Sequence, residues 1–146
     1  MSGEKVLGFV DTNVLVYSFE KDDSLKKQTA QRLLNELMED DRLRLSTQIL
    51  QELFVTLTRK VSRPCSTVEA LTIMEDLAAW PVMIVDYAAI RSAAGLSSQA
   101  KVSFWDALVV VSTARSGSDV LYTEDLNDGQ QIFGVRVCNP FVGNAR

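Results

Sequence analysis

The side chains best suited to chemistry in this chain are carboxylates. Asp11 closes an apolar run, Val6-Leu7-Gly8-Phe9-Val10, and Asp125 follows a second one, Val120-Leu121-Tyr122. Asp106 falls in the first turn of an apolar helical pattern, and Glu52 lies about a turn and a half into another. There is no His in the sequence, which removes imidazole bases, His–Asp triads and most zinc sites. Catalysis would have to run on carboxylates, hydroxyls, Lys, Arg or a bound hard cation. Each acid also has an ordinary structural use. Asp11 can cap the helix that follows it, Asp106 can form a capping box with Ser103, Glu52 can be a solvated surface acid, and Asp125 a turn residue. If all four meet at one rim they repel, and each raises its neighbours' pKa unless a cation sits among them. Oxygen ligands without His or Cys select Mg²⁺ or Mn²⁺.

The elements that must position these acids follow from periodicity. The first apolar run reads as a strand buried on both faces, as in a parallel sheet covered by helices. Asp11 then stands at its carboxyl end, where open α/β sheets place their ligand crevice. A short helix is expected over Val14–Phe19, and a longer one over Leu25–Met38, where Ala30, Leu33, Leu34, Leu37 and Met38 recur at helical spacing. A strand over Leu43–Leu45 leads to a cap at Ser46-Thr47. The next helix places Ile49, Leu50, Leu53, Phe54 and Leu57 on one face and ends near Arg59, before the break at Arg63-Pro64. Ser66 to Glu69 is a capping box for a helix reaching about Ala79. A strand over Val82–Val85 and a helix over Ala88–Leu96 come next. Ser103 opens the Asp106 helix, which runs to about Arg115 and is closed by Gly117. Val120–Tyr122 and Val135–Val137 are the last strands. Alternation of this kind implies one mostly parallel sheet of about five strands with helices on both faces.

The totals are those of an ordinary globular chain. Of 146 residues 47% are apolar and 23% charged, which argues against disorder and for one domain over 1–146. No apolar run is long enough to span a membrane, and no basic-then-apolar leader begins the chain. Cys65 and Cys138 lie far apart without metal-ligand spacing and read as reduced thiols, so a cytoplasmic protein is expected. A net charge of −4 does not suggest a protein that coats nucleic acid non-specifically. It remains compatible with a nucleic-acid enzyme whose acids share one pocket.

Four segments, taken in order, carry a resemblance: Val10-Asp11-Thr12-Asn13-Val14-Leu15, Gln51-Glu52-Leu53, Phe104-Trp105-Asp106-Ala107-Leu108 and Tyr122-Thr123-Glu124-Asp125-Leu126. Over residues 6 to about 141 the chain resembles the PIN-domain family, most closely the VapC-type toxins of bacterial toxin–antitoxin pairs. The resemblance implies a three-layer α/β/α sandwich and a Mg²⁺- or Mn²⁺-dependent ribonuclease with Asp11, Glu52, Asp106 and Asp125 as its acidic pocket. It implies Asp11 and Asp106 as the direct metal ligands, and products with 5′-phosphate and 3′-hydroxyl ends. Asn13 and Thr123 match the polar residues beside that pocket, and Asp128 is an additional acid. The last motif departs from the family's pattern, which often has an aromatic residue where Asp128 stands here, and Asp125 is favoured for the fourth position over Asp128 and Glu124. The partners implied are RNA, a cognate antitoxin and a second copy of the chain.

Contacts to RNA phosphate require positive charge, and Arg59, Lys60 and Arg63 cluster just beyond the Glu52 helix. The same residues would equally suit the helix dipole. Lys101 and Arg91 are further cations with no special claim. Trp105 and Trp80 are expected in the core rather than as base-stacking platforms. Two competing functions remain open. A catalytically silent PIN scaffold would bind RNA or protein without cutting. A phosphohydrolase with an aspartate nucleophile would need an acid where Asn13 stands. A dinucleotide-binding module would need a Gly-rich turn after the first strand, and Gly8 precedes it.

Overall fold

The computed structural model describes residues 5–142. Six strands form one sheet in the order β3-β2-β1-β4-β6-β5: β1 Gly8–Val10, β2 Leu43–Ser46, β3 Val82–Met83, β4 Val120–Tyr122, β5 Gln131–Ile132 and β6 Val135–Cys138. All neighbouring pairs run parallel except β5 with β6. The helices are α1 Thr12–Ser18, α2 Leu25–Glu39, α3 Thr47–Val55, α4 Thr67–Leu77, α5 Tyr87–Ala100 and α6 Phe104–Arg115. This is the mixed α/β architecture with a mostly parallel sheet that the alternating pattern predicts.

The central strand β1 is buried throughout, which is why it reads as an unbroken apolar run. Phe9 is fully buried with Leu45, Ile49, Leu121 and Val137. Burying a side chain of that size contributes about 1.5–3 kcal/mol. On the opposite face of β1, Gly8 lets α2 and Tyr122 close in: a Cβ there would stand 2.7 Å from Tyr122 Cε2 and 3.1 Å from Leu37 Cδ2. Helix α6 buries seven consecutive residues, Ala107 to Thr113, in agreement with its nearly unbroken apolar sequence, and it packs against α5 and against β2, β4 and β6.

Several boundaries differ from the sequence expectation. Helix α1 begins at Thr12, directly after its cap Asp11. Helix α5 runs on to Ala100 because Ser97–Gln99 stay helical until Lys101 takes a left-handed conformation, φ 57°. The third strand stops at Met83, and the Val85 amide donates instead to Thr47 Oγ1 at 3.1 Å. After Val55 the helix widens into a π turn over Thr56–Lys60, marked by the Val61 amide donating to the Thr56 carbonyl at 3.2 Å. Strand β5 is an addition: Phe133 and Gly134 both take positive φ, 53° and 76°, as a tight two-residue hairpin requires. Among the described residues no helix is long and apolar enough to cross a membrane.

Candidate active site

The chain leaves β1 toward β2 on one side of the sheet and later adds β4 on the other, so the strand order switches direction between β1 and β4. Crevices for ligands form at the carboxyl ends of such strands, and Asp11 follows β1 while Thr123 to Asp125 follow β4. The Asp11 amide donates to the Tyr122 carbonyl at 3.0 Å, carrying the ladder one residue past the strand.

Asp11 turns out to be both helix cap and pocket acid. Its Oδ1 accepts from the Thr12 amide at 2.7 Å and its Oδ2 from the Thr123 hydroxyl at 2.8 Å. Only 6% of its surface is exposed. Burial pushes its carboxyl up from 3.8 to about 7 against the lowering effect of those two hydrogen bonds, and the negative charges of Asp125 and Glu52 add to the rise. Glu52 is half-buried. Its Oε1 accepts from the Thr12 hydroxyl at 3.0 Å and its Oε2 from Gln48 Nε2 at 3.2 Å. Asp125 has a raised pKa, first because of partial burial, with Asp106 and Glu124 adding like charge and an Asn13 hydrogen bond opposing. Asp106 sits in the first turn of α6, its amide donating to Ser103 Oγ at 3.0 Å. The reciprocal bond of a capping box is absent there, whereas Ser66 and Glu69 form a complete one.

Thr123 is the hub of the polar network. It is fully buried, and its hydroxyl donates to Asp11 while accepting from Asn13 Nδ2 at 3.3 Å and the Asp125 amide at 3.0 Å. Asn13 Oδ1 accepts in turn from the Glu124 amide at 3.4 Å. The three acids of the last motif have separate surroundings. Glu124 pairs with Lys26 at 2.9 Å and accepts from the Tyr17 hydroxyl at 2.8 Å. Asp128 Oδ1 accepts from the Asn139 amide at 2.9 Å. Asp125 shares the cavity with Asp11 and Glu52.

That cavity, of about 760 Å³, is bounded by α1, α3 and the π turn and includes Asp11, Glu52, Asp125, Tyr17 and Lys60. Of the three cations suggested by sequence, only Lys60 lines it. Arg59 is exposed elsewhere, and Arg63 pairs with Asp22 at 2.6 Å. Trp80 packs against the core. Trp105 corrects the expectation of a core position: it is 62% exposed, because the buried stripe of α6 starts only at Ala107. Gln48 and Thr12, which hold Glu52 in place, were not anticipated. The spacing of Gln48 four residues before Glu52, on one helix face, is the signal that identifies it.

The donor set suits a hard divalent cation. Among the described residues no Lys or Arg is ion-paired with Asp11, Glu52, Asp106 or Asp125. Gln48 Oε1, beside Glu52, is buried without a hydrogen-bond donor. No three acidic side chains among the described residues stand close enough to grip one ion together. This is compatible with Mg²⁺, which keeps several of its waters and takes only one or two carboxylates directly.

Known proteins share this fold. Among solved structures, a toxin–antitoxin complex from Klebsiella pneumoniae superposes with a TM-score of 0.69 at 16% identity, covering 92% of this chain and 98% of that one. The sarcin-ricin loop cleaving toxin VapC20 of Mycobacterium tuberculosis gives 0.65 at 20% identity, covering 88% and 98%. VapBC2 from Rickettsia felis, bound to a DNA fragment from its promoter, gives 0.63 at 14% identity, covering 90% and 96%. At these identities the likeness establishes the fold. No curated protein sequence matches the chain. The PIN domain family model matches residues 8–127, from β1 through the Asp125 loop, and the chain belongs to the PIN domain family.

Proposed function

We propose that this chain is a metal-dependent endoribonuclease, the toxin of a toxin–antitoxin pair. The observation that carries the proposal is Asp11. It is a buried carboxyl pushed to about 7, with Glu52 and Asp125 adding like charge and no ion-paired cation among the described residues. Capping α1 does not offset the cost of burying that charge, whereas a divalent cation beside it would.

Asp11 and Asp106 would hold the ion directly, with Glu52 and Asp125 holding its waters or completing a second site. Bound Mg²⁺ or Mn²⁺ supplies Lewis acidity, neutralising phosphate charge and acidifying water. The chain's own residues supply position. Thr123 and the Thr12 amide fix both oxygens of Asp11, while Thr12 and Gln48 fix both oxygens of Glu52, so neither carboxylate need reorganise when charge develops. Asn13 ties the Asp125 loop to α1. Lys60 lines the same cavity as Asp11, Glu52 and Asp125 and would contact phosphate there. A negatively charged strand approaching an acidic pocket is favoured by such a cation nearby.

The solved structures with this fold include toxin–antitoxin complexes. By analogy an antitoxin would silence this chain by occupying the acidic cavity, and the chain would act as a homodimer in the cytoplasm. The test is incubation with RNA in Mg²⁺, in chelator, and as Asp11→Asn. Cleavage in the first alone is expected. Equal cutting in all three would reject the metal–carboxylate mechanism, and no cutting in any would favour the silent scaffold.

A further inference from the structure

We infer that Trp105 is a base-stacking platform for an unpaired nucleotide flanking the scissile phosphate, beside Asp106. The inference rests on the ribonuclease proposal and adds to it the residue that would receive a base beside the cut.

Trp105 is one residue from Asp106, at the start of α6. Its carbonyl accepts from Gln48 Nε2 at 3.4 Å, and the same amide donates to Glu52 Oε2 at 3.2 Å. The backbone under the indole is therefore tied to the acids. The ring is braced edge-to-face on Phe104, with centroids 5.1 Å apart at 78°, and Phe104 packs on the core. Although braced, Trp105 remains 62% exposed. Fixing a large aromatic in advance lowers the entropic cost of stacking a base on it.

The 760 Å³ cavity is lined by Lys60, Glu52, Asp11 and Asp125, but not by Asp106 or Trp105. Asp106 acts electrostatically on Asp125. Trp105 thus adjoins Asp106 in the first turn of α6, outside the cavity that Lys60 lines with Asp11, Glu52 and Asp125. A strand that places a phosphate at the acids would meet the exposed indole next to Asp106.

A protein-docking patch is a poorer explanation for the exposed ring. Ile84, Tyr87 and Ile90 are also exposed, but they belong to the opposite end of the α5–α6 pair. The Asp86–Arg115 contact of 3.6 Å sets the start of α5 beside the end of α6, about 18 Å along the helix from its first turn.

The sequence contains two Trp, so Trp80→Phe leaves Trp105 as the sole indole. In that background, carrying Asp11→Asn to block cleavage, an oligo(A) octamer in Mg²⁺ should quench the emission and an abasic ribose-phosphate octamer should not. In the active protein, Trp105→Ala should raise KM for single-stranded RNA roughly tenfold with kcat within about twofold, and Trp105→Phe should recover most of the loss. Equal quenching by both oligomers, an unchanged KM, or an altered oligomeric state with KM unmoved would overturn the assignment. If the wild-type protein cuts no RNA but oligo(A) alone quenches, stacking stands and the ribonuclease proposal falls.

Discussion

Replacing Asp11 with Asn should make the protein more stable at alkaline pH while abolishing its activity. A carboxyl that titrates at 3.8 when unfolded and at about 7 when folded costs the ionised native state about 4 kcal/mol. Below pH 3.8 both states are protonated and the penalty is absent. Between 3.8 and 7 the unfolded chain ionises first, so stability falls as pH rises, and above 7 the loss is complete. Asn removes that penalty and adds another. The Thr123 hydroxyl already accepts from Asn13 and the Asp125 amide, so the new side-chain amide facing it brings a third donor, at about 1–3 kcal/mol. The net expectation is a gain of about 1–3 kcal/mol at pH 8. At pH 5, where most of the carboxylate penalty is gone, the change is close to zero or a loss. Urea denaturation of both proteins in chelator from pH 5 to pH 8 measures this. The wild type should lose about 3 kcal/mol more than the variant over that span. Parallel stability curves would refute the claim that Asp11 is a buried acid held without a compensating charge.

Other outcomes follow from the same geometry. Lys60→Ala should raise KM for RNA several-fold and lower the salt dependence of binding by about one phosphate contact. Arg63→Ala, whose partner is Asp22, should leave both unchanged. Lys26 joins Glu124, the Tyr17 hydroxyl at 3.2 Å and the rings of Tyr17 and Phe141, at 4.7 and 5.2 Å from their centroids. With Lys26 about half exposed, Lys26→Met should cost only about 1 kcal/mol, and a double-mutant cycle with Glu124→Gln should show coupling that weakens in high salt. Gly8→Ala should cost about 1–3 kcal/mol by denaturation, because its Cβ would meet the Tyr122 ring. Adding Tyr122→Leu should recover part of that loss.

The sequence reveals those parts of the molecule that are set by local pattern. Gly8-Phe9-Val10 is apolar on both faces because it is the central strand, and the Asp that ends it is visible for the same reason. Ser66 and Glu69 cap their helix through bonds between near neighbours in the chain, so the motif is complete in the letters. The parts set by long-range contact are less legible. Strand β5 is two residues long and exists by pairing with β6, not by its own pattern. The start of α6 is apolar in sequence, yet only Phe104 packs on the core there, Trp105 is exposed, and the fully buried run begins at Ala107. Arg59, Lys60 and Arg63 look equivalent as a cluster, and only the π turn and the Asp22 pair separate them. The roles of Glu124 and Asp128 likewise depend on partners outside their own loop, Lys26 far away in the chain and Asn139 just beyond β6. Thr12 serves Glu52 from another helix, a link that no spacing rule for a single element reveals, whereas Gln48 shares α3 with Glu52 at i, i+4 spacing.

The central claim is that separated acids meet at one mouth of the sheet and require a divalent cation there. Calorimetric titration of Mn²⁺ into the RNA-free protein at pH 7 tests it most directly. Binding is predicted in the wild type, with protons released because Asp11 titrates at about 7. It should be lost or strongly weakened in Asp11→Asn and in Asp106→Asn. Absence of binding in the wild type, or equal binding in all three proteins, would contradict the account.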